Sequence, residues 1–253
     1  MTQSPLAGRT ALVTGGARGI GRGICLRLAR EGIKVAVNYH SSESAARETA
    51  QQIEEMGSAA YTIQADVASK QAVDAMVEEV SEQLGPIDLL VNNAGIFEFV
   101  SHDQLTLDLW QKTLDTNLTG AFNTIWAVKP SMLERGYGRI VNVSSIGGIR
   151  ARPKSIAYGA SKAGLIMLTK GVAEALAPHN IRVNCLAPGL TDTDLPRQVA
   201  GPEVIDELID ATPMKRIGQP EDAANVVHFL LSDESSFMTG QTIVASGGRV
   251  LLP

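Results

Sequence analysis

Residues Thr10–Gly21 read TALVTGGARGIG. The first five, Thr10–Thr14, are β-branched or apolar and fit a short buried strand. Glycines follow at 15, 16, 19 and 21, and an apolar-periodic segment over Ile20–Glu31 reads as a helix that opens inside the glycine run. Glycine lets the backbone turn sharply and approach a ligand, and a helix N-terminus offers free N–H groups and the positive end of its dipole. The spacing is G-x-x-x-G-x-G rather than the simpler G-x-G-x-x-G. Its place between a strand and a helix still predicts a dinucleotide site, with Gly15, Gly19, Ile20 and Gly21 at the phosphates.

The same alternation runs on to the end of the chain. Lys34–Asn38, Ala59–Gln64, Leu89–Asn92, the run ending at Ser144-Ser145, Ile181–Leu186 and Thr242–Ala245 are predicted strands. Ser42–Met56, Lys70–Leu84, Leu107–Arg135, Ile156–Ala177 and Pro220–Leu231 are predicted helices, and Thr191–Asp210 is polar with helical character. No linker, repeat or low-complexity block intervenes. Strand and helix alternating this regularly require right-handed crossovers and a parallel sheet covered on both faces. The expectation is a single α/β domain over residues 1–253, a doubly wound parallel sheet of about seven strands with ligands at the carboxyl ends.

A chain of 253 residues is long enough for one such domain with a sizeable core. Its 44% hydrophobic and 19% charged residues are ordinary for a globular protein, and a net charge of −5 gives no reason to expect nucleic acid or an anionic membrane. No run approaches the ~20 apolar residues that span a bilayer, and MTQSPLAGRT at the start lacks the pattern of a secretory signal. Cys25 and Cys185 show no metal-ligand spacing, and His40, His102, His179 and His228 are scattered. No metal site is expected, and a reducing, cytoplasmic setting is.

The chemistry gathers in Ile140–Leu165, IVNVSSIGGIRARPKSIAYGASKAGL. An apolar run ends in Ser144 and Ser145, and a loop leads to Tyr158 with Lys162 four residues on. On a helix that spacing puts phenol and ammonium on one face. A phenol titrates near ~10, and a nearby ammonium favours the phenolate. Lowering the value by about three units needs roughly 4 kcal/mol, within reach of one lysine plus a cationic cofactor ring. A hydroxyl at the strand end then shares a substrate oxygen with the tyrosine, which is a proton-transfer site for a carbonyl/alcohol pair.

Thr14–Gly21 as T-G-x-x-x-G-x-G, Asn92-Asn93-Ala94-Gly95, Asn117, Ser145 with Tyr158-x-x-x-Lys162, and Pro188-Gly189 together resemble the short-chain dehydrogenase/reductase family, from about Leu6 to Gly248. The resemblance is to the 3-oxoacyl-(acyl-carrier-protein) reductase-like branch, and it implies a Rossmann-like fold. It implies that Tyr158 is the general acid in reduction, Lys162 lowers its pKa and meets the nicotinamide ribose, Ser145 holds the carbonyl oxygen, and Asn117 positions a water behind Lys162. It also puts Asp66 and Val67 at the adenine, Asn93, Ala94 and Gly95 at the adenosine ribose, and Pro188, Gly189 and Thr191 over the nicotinamide carboxamide. Ser144 competes with Ser145, but the spacing to the tyrosine that the resemblance implies selects Ser145, and for Asn92 and Asn93 a purely structural role reads nearly as well.

The strand Lys34–Asn38 ends without the acid that NAD-specific folds place at the 2′-OH. The resemblance puts Arg18 at a 2′-phosphate, with Asn38 and Ser41 beside it, so NADP(H) is preferred and NAD(H) admitted. The chain departs from the family at Ser246, usually Asp, and at Ala175, usually Glu. Carrier-protein reductases present an Arg before the fifth strand and another before the sixth; here stand Arg135 and His179, which leaves an acyl carrier protein partner open. Leu190–Arg216 is expected to be a substrate lid, and the apolar faces of Leu107–Arg135 and Gly159–Ala177 suit a homotetramer. The expected function is NADP(H)-dependent reduction of a ketone, first a 3-oxoacyl thioester, second a sugar, polyol or small ketone with either cofactor. A nucleotide-binding regulator without turnover is the remote alternative. Arg150, Arg152 and Lys154 read either as a solvated basic loop or as an attractor for an anionic substrate handle.

Overall fold

In the computed structural model, which describes residues 4–193 and 202–251, every apolar run becomes a strand of one parallel sheet. The elements are β1 (Thr10–Val13), α1 (Gly19–Ala29), β2 (Lys34–Tyr39), α2 (Glu43–Glu55), β3 (Ala60–Gln64), α3 (Lys70–Leu84) and β4 (Ile87–Asn92). They continue with α4 (Leu107–Leu114), α5 (Gly120–Arg135), β5 (Gly138–Val143), α6 (Ile156–Leu176), β6 (Ile181–Pro188), α7 (Pro202–Asp210), α8 (Pro220–Leu231) and β7 (Thr242–Ala245). The seven strands lie in the order β3-β2-β1-β4-β5-β6-β7. The chain winds outward from β1 to β3, then returns to set β4 on the other side of β1. Two neighbouring loops diverge at that reversal and leave a crevice at the carboxyl ends.

Strand parity divides the core. Ala11, Val13, Val35, Val37 and Val91 face α1, α2 and α8, where Ile24, Leu28, Ile53, Val227 and Leu231 meet them. Leu12, Ala36, Leu90, Ile140 and Val183 face α3, α5 and α6, against Val73, Met76, Ile125, Met132 and Val172. Strands buried on both faces explain why the sequence shows apolar runs rather than alternation.

One polar chain crosses the second layer. Asn92 and Asn142 stand opposite each other in register. Thr124 Oγ1 donates to Asn92 Oδ1 at 2.6 Å, Asn92 Nδ2 to Asn142 Oδ1 at 2.9 Å, and Asn142 Nδ2 to Thr169 Oγ1 at 2.9 Å. The chain ties α5, β4, β5 and α6 together just beneath the carboxyl edge, and it settles Asn92 as structural.

Three expectations change. The predicted helix over Leu107–Arg135 is broken by a π turn, Asp115–Thr119, between α4 and α5. β5 stops at Val143, and Ser145 caps a short 3-10 turn, Ile146–Gly148, with its Oγ accepting from Gly147 N at 3.0 Å. Of Thr191–Asp210 only Pro202–Asp210 is helix among the described residues, and positions 194–201 of the expected lid lie outside them. No helix among the described residues is long and apolar enough to cross a membrane. On the outside, Phe122 and Trp126 of α5 stack at 4.1 Å while remaining exposed, as does Met167 of α6.

Candidate active site

A cavity of about 1350 Å³ runs along the carboxyl ends from the glycine loop to Tyr158. Its floor exists because two loops approach closely. Gly15 (φ +61°) and Gly19 (φ +55°) adopt left-handed backbone, and a Cβ on Gly21 would lie 2.1 Å from Gly15 O. Thr14 Oγ1 accepts from the N–H groups of Asn93 (3.0 Å) and Ala94 (3.1 Å), and Asn93 Nδ2 donates to the carbonyls of Thr14 (3.1 Å) and Gly15 (3.0 Å). Arg18 precedes α1 in extended backbone, and no side chain caps the helix. The helix therefore presents its first N–H groups, without a competing cap, beside a glycine surface lining the cavity, a combination that fits a pyrophosphate.

At the outer end Arg18, Ser41 and Asp66 are exposed and line the cavity, with buried Val67 beneath. Asp66 Oδ1 accepts from Ala68 N at 2.9 Å, which shapes the turn. Asn38 is different. β2 runs on to Tyr39, and Asn38 is 1% exposed. Its Oδ1 accepts from Gly15 N at 3.2 Å and its Nδ2 donates to Ala65 O at 3.1 Å, so it braces the glycine loop against β3. Asn38 lines the cavity as well, with both ends of its amide engaged in this brace, and His40, Ser41 and Ser42 stand beside it. At the inner end Gly189 N donates to Ala245 O, Thr191 Oγ1 donates to Gly189 O, and Pro188, Gly189 and Thr191 all line the cavity. A Cβ on Gly189 would meet Ser246 Cα at 2.8 Å, so the departure at Ser246 lies under this turn.

Tyr158 and Lys162 project from α6 into the cavity together with Ser145 and Ile146. The Ser145 hydroxyl lies near the Tyr158 phenol and favours its ionised form. Ser144 is excluded from that role because its Oγ donates to Lys162 O at 2.8 Å. Lys162 is 4% exposed, and its Nζ donates to Val143 O at 2.8 Å and lies 5.8 Å from the Tyr158 ring centroid. Asn117 sits in the π turn; its Oδ1 accepts from Ile96 N (2.8 Å) and its Nδ2 donates to Ile96 O (3.0 Å) and Ser161 Oγ (3.1 Å). A π turn changes the helical register locally, and that register sets Asn117 facing the β4 turn.

Burial dominates both titrating groups. It holds the Tyr158 phenol above its ordinary value, opposed by the Ser145 hydroxyl and the charge of Arg152. It pushes the Lys162 ammonium down to about 8. The expectation that Lys162 draws the phenol toward neutrality is therefore not met by the protein alone, since desolvation outweighs the attraction. At neutral pH the phenol carries its proton.

Several residues escaped the sequence reading. Phe97 packs edge-on against Tyr158, with ring centroids 4.8 Å apart. Gly148 passes where a Cβ would be 2.6 Å from Lys162 C, and a Cβ on Gly147 would be 3.2 Å from the Tyr158 ring. The glycine pair after Ser145 was the available signal. Val204 and Leu208 of α7 line the cavity, as does Arg249 beside Arg150, Arg152 and Lys154. Arg135, weighed for a carrier protein, bonds Asp88 and Ile87 O at the opposite end of the sheet, and His179 lies in a turn after α6. Among the described residues no group of His, Cys, Asp and Glu is placed to hold a metal.

A family model described as enoyl-(acyl carrier protein) reductase matches residues 15–249. The chain is 43% identical over 247 residues to the 3-oxoacyl-(acyl-carrier-protein) reductase of Staphylococcus epidermidis, covering 96% of this chain and 99% of that one. It is 42% identical over 241 residues to the acetoacetyl-CoA reductase of Rhizobium meliloti, covering 95% and 98%. The crystal structure of a 3-oxoacyl-(acyl-carrier-protein) reductase from Brucella melitensis superposes with a TM-score of 0.91 at 38% identity, covering 98% and 94%.

The burial of Lys162 yields a stability prediction. Its folded pKa lies below the unfolded value of 10.5, so below pH 8 both states are charged and the folded chain bears the full desolvation penalty. Between about pH 8 and 10 the folded lysine loses its proton first, and stability rises. Replacing Lys162→Met should stabilise the cofactor-free protein by about 1–3 kcal/mol at pH 7, with the advantage vanishing by pH 10. Chemical denaturation of both proteins at the two pH values measures this; an advantage that does not change with pH contradicts it.

Proposed function

The chain belongs to the short-chain dehydrogenase/reductase family, acting on CH–OH/C=O with a nicotinamide cofactor, and from that premise we propose that it is an NADP(H)-dependent reductase of 3-oxoacyl thioesters. The observation that carries this reading is the convergence of Ser145, Tyr158 and the buried Lys162 at one end of a dinucleotide-sized cavity. The bound cofactor supplies the hydride. Ser145 and Tyr158 share the ketone oxygen, and the phenol delivers its proton there as negative charge develops. Lys162 then balances the phenolate, an interaction strengthened by its burial. Asn117 Oδ1 and Lys162 Nζ both close on Gly95, where a Cβ would lie 3.2 and 3.4 Å from them, and this nearness supports Asn117 as the residue that places a proton-resupplying water behind Lys162. Val204 and Leu208 serve as the apolar wall of a lid over the acyl chain.

With Arg135 tied to Asp88, the thioester of a small carrier such as coenzyme A is favoured over an acyl carrier protein. The same commitment keeps the second reading in view, a small ketone, sugar or polyol. The intact Asn117, Ser145, Tyr158 and Lys162 speak against a regulator without turnover. Two buried free cysteines suit a reducing cytoplasm.

The outer end of the cavity favours NADPH, because Arg18 is exposed there with no carboxylate paired to it among the described residues, and Ser41 stands beside it. Acetoacetyl-CoA with each cofactor is the direct assay: NADPH should give the higher kcat/KM. Combining Arg18→Ala with Ser41→Asp should shift the ratio toward NADH by about a hundredfold, roughly 3 kcal/mol of lost and reversed charge interaction. A wild-type preference for NADH refutes the assignment.

The exposed Phe122, Trp126 and Met167 support the homotetramer, with two-fold contacts through α5 and α6 and the last strand joining a second pair. Sedimentation at micromolar concentration should give four copies; a monomer sinks this reading.

A further inference from the structure

The loop between the 3-10 turn and α6 carries Arg150, Arg152 and Lys154 into the cavity, and Arg249 enters from the far end of the chain. Four cations thus line it, and the charges of Arg249 and Arg150 act on Arg152. Among the described residues no carboxylate lies within ion-pair distance of any of them. Arg249 donates to Ala211 O at 2.8 Å, and Lys154 Nζ stands 5.5 Å above the Phe99 ring. The half-buried Arg152 guanidinium has no hydrogen-bond partner among the described residues. Burial, then the charges of Arg249 and Arg150, hold it below its ordinary pKa, and it acts electrostatically on the Tyr158 phenol.

A cation gathered with like charges and partly withdrawn from water is unfavourable unless something anionic completes it. The cofactor's 2′-phosphate is not that partner, since Arg18 and Ser41 bound the other end of the cavity. We propose that Arg152, with Arg150, Lys154 and Arg249 around it, receives an anionic group carried by the ketone substrate, a carboxylate or a phosphate. Arg152 faces the cavity near enough to Tyr158 for its charge to act on the phenol, and Phe97 packs on the Tyr158 ring with Phe99 next to it. The inference rests on Tyr158 being the proton donor of a carbonyl reductase, and it narrows the substrate to a charged one.

Four ketones separate the sources. Acetoacetate bears a carboxylate near the ketone, acetoacetyl-CoA bears phosphates at the end of its pantetheine arm, and ethyl acetoacetate and the N-acetylcysteamine thioester bear neither. Wild type, Arg152→Gln and the double variant Arg150→Gln/Lys154→Gln are compared. Arg152 also acts on Tyr158, so a kcat change common to all four substrates is expected; the readout is KM. For at least one anionic substrate, KM in Arg152→Gln should rise at least about tenfold more than for the neutral pair, and the double variant should follow in the same direction. Added salt should reproduce the split in wild type. The substrate that responds names the source. Calorimetric binding of acetoacetate and of coenzyme A, with and without NADP+, reads the same site without turnover. Absence of all turnover overturns the reductase reading while that binding still decides the anion site. An anionic-to-neutral KM ratio equal in all three enzymes, or binding of both anions unaffected by Arg152→Gln, overturns the proposal.

Discussion

The ammonium group of Lys162 has to be held out of water next to a phenol, and the surrounding structure answers to that need. A charge in a low-dielectric interior is costly unless a polar group meets it, and Val143 O does so at the end of β5. The backbone must then pass close by without side chains, as it does at Gly95 and Gly148. Ser144 clamps the Lys162 carbonyl from one side, while the π turn brings Asn117 in from the other. What remains uncompensated lowers the lysine's pKa, and the site is accordingly a place where stability is given up for chemistry.

Much of the fold was legible because strands buried on both faces stand in the sequence as short apolar runs, separated by longer amphipathic helices. The misreadings have local causes. Asp88 disguised the start of β4, since a carboxylate inside a strand looks like a boundary; here Arg9 and Arg135 neutralise it. The break between α4 and α5 leaves the apolar pattern nearly intact because a π turn shifts the register by a single residue. Its one mark in the sequence is Gly120, where a Cβ would lie 2.7 Å from Val67 Cγ2.

The candidate site divides in the same way. Residues carried by local motifs, among them Gly15, Asn93, Ser145, Tyr158 and Lys162, line the cavity or hold its walls. That Asn38 also braces the glycine loop against β3 is invisible before the register is known. Arg249 and Phe97 reach the cavity from distant parts of the chain, so no spacing announces them. The relation between Arg152 and Tyr158 is likewise tertiary, and its charge opposes part of what burial does to the phenol.

The central claim is that Tyr158 gives the proton to a carbonyl oxygen at this end of the cavity. Single-turnover reduction of acetoacetyl-CoA by Tyr158→Phe, with NADPH bound beforehand, tests it most directly. The variant keeps the ring that packs on Phe97, so cofactor affinity should be near that of wild type, while the rate of the chemical step should fall by about three orders of magnitude or more. A variant that binds NADPH normally and retains more than about a tenth of the wild-type rate would contradict the account.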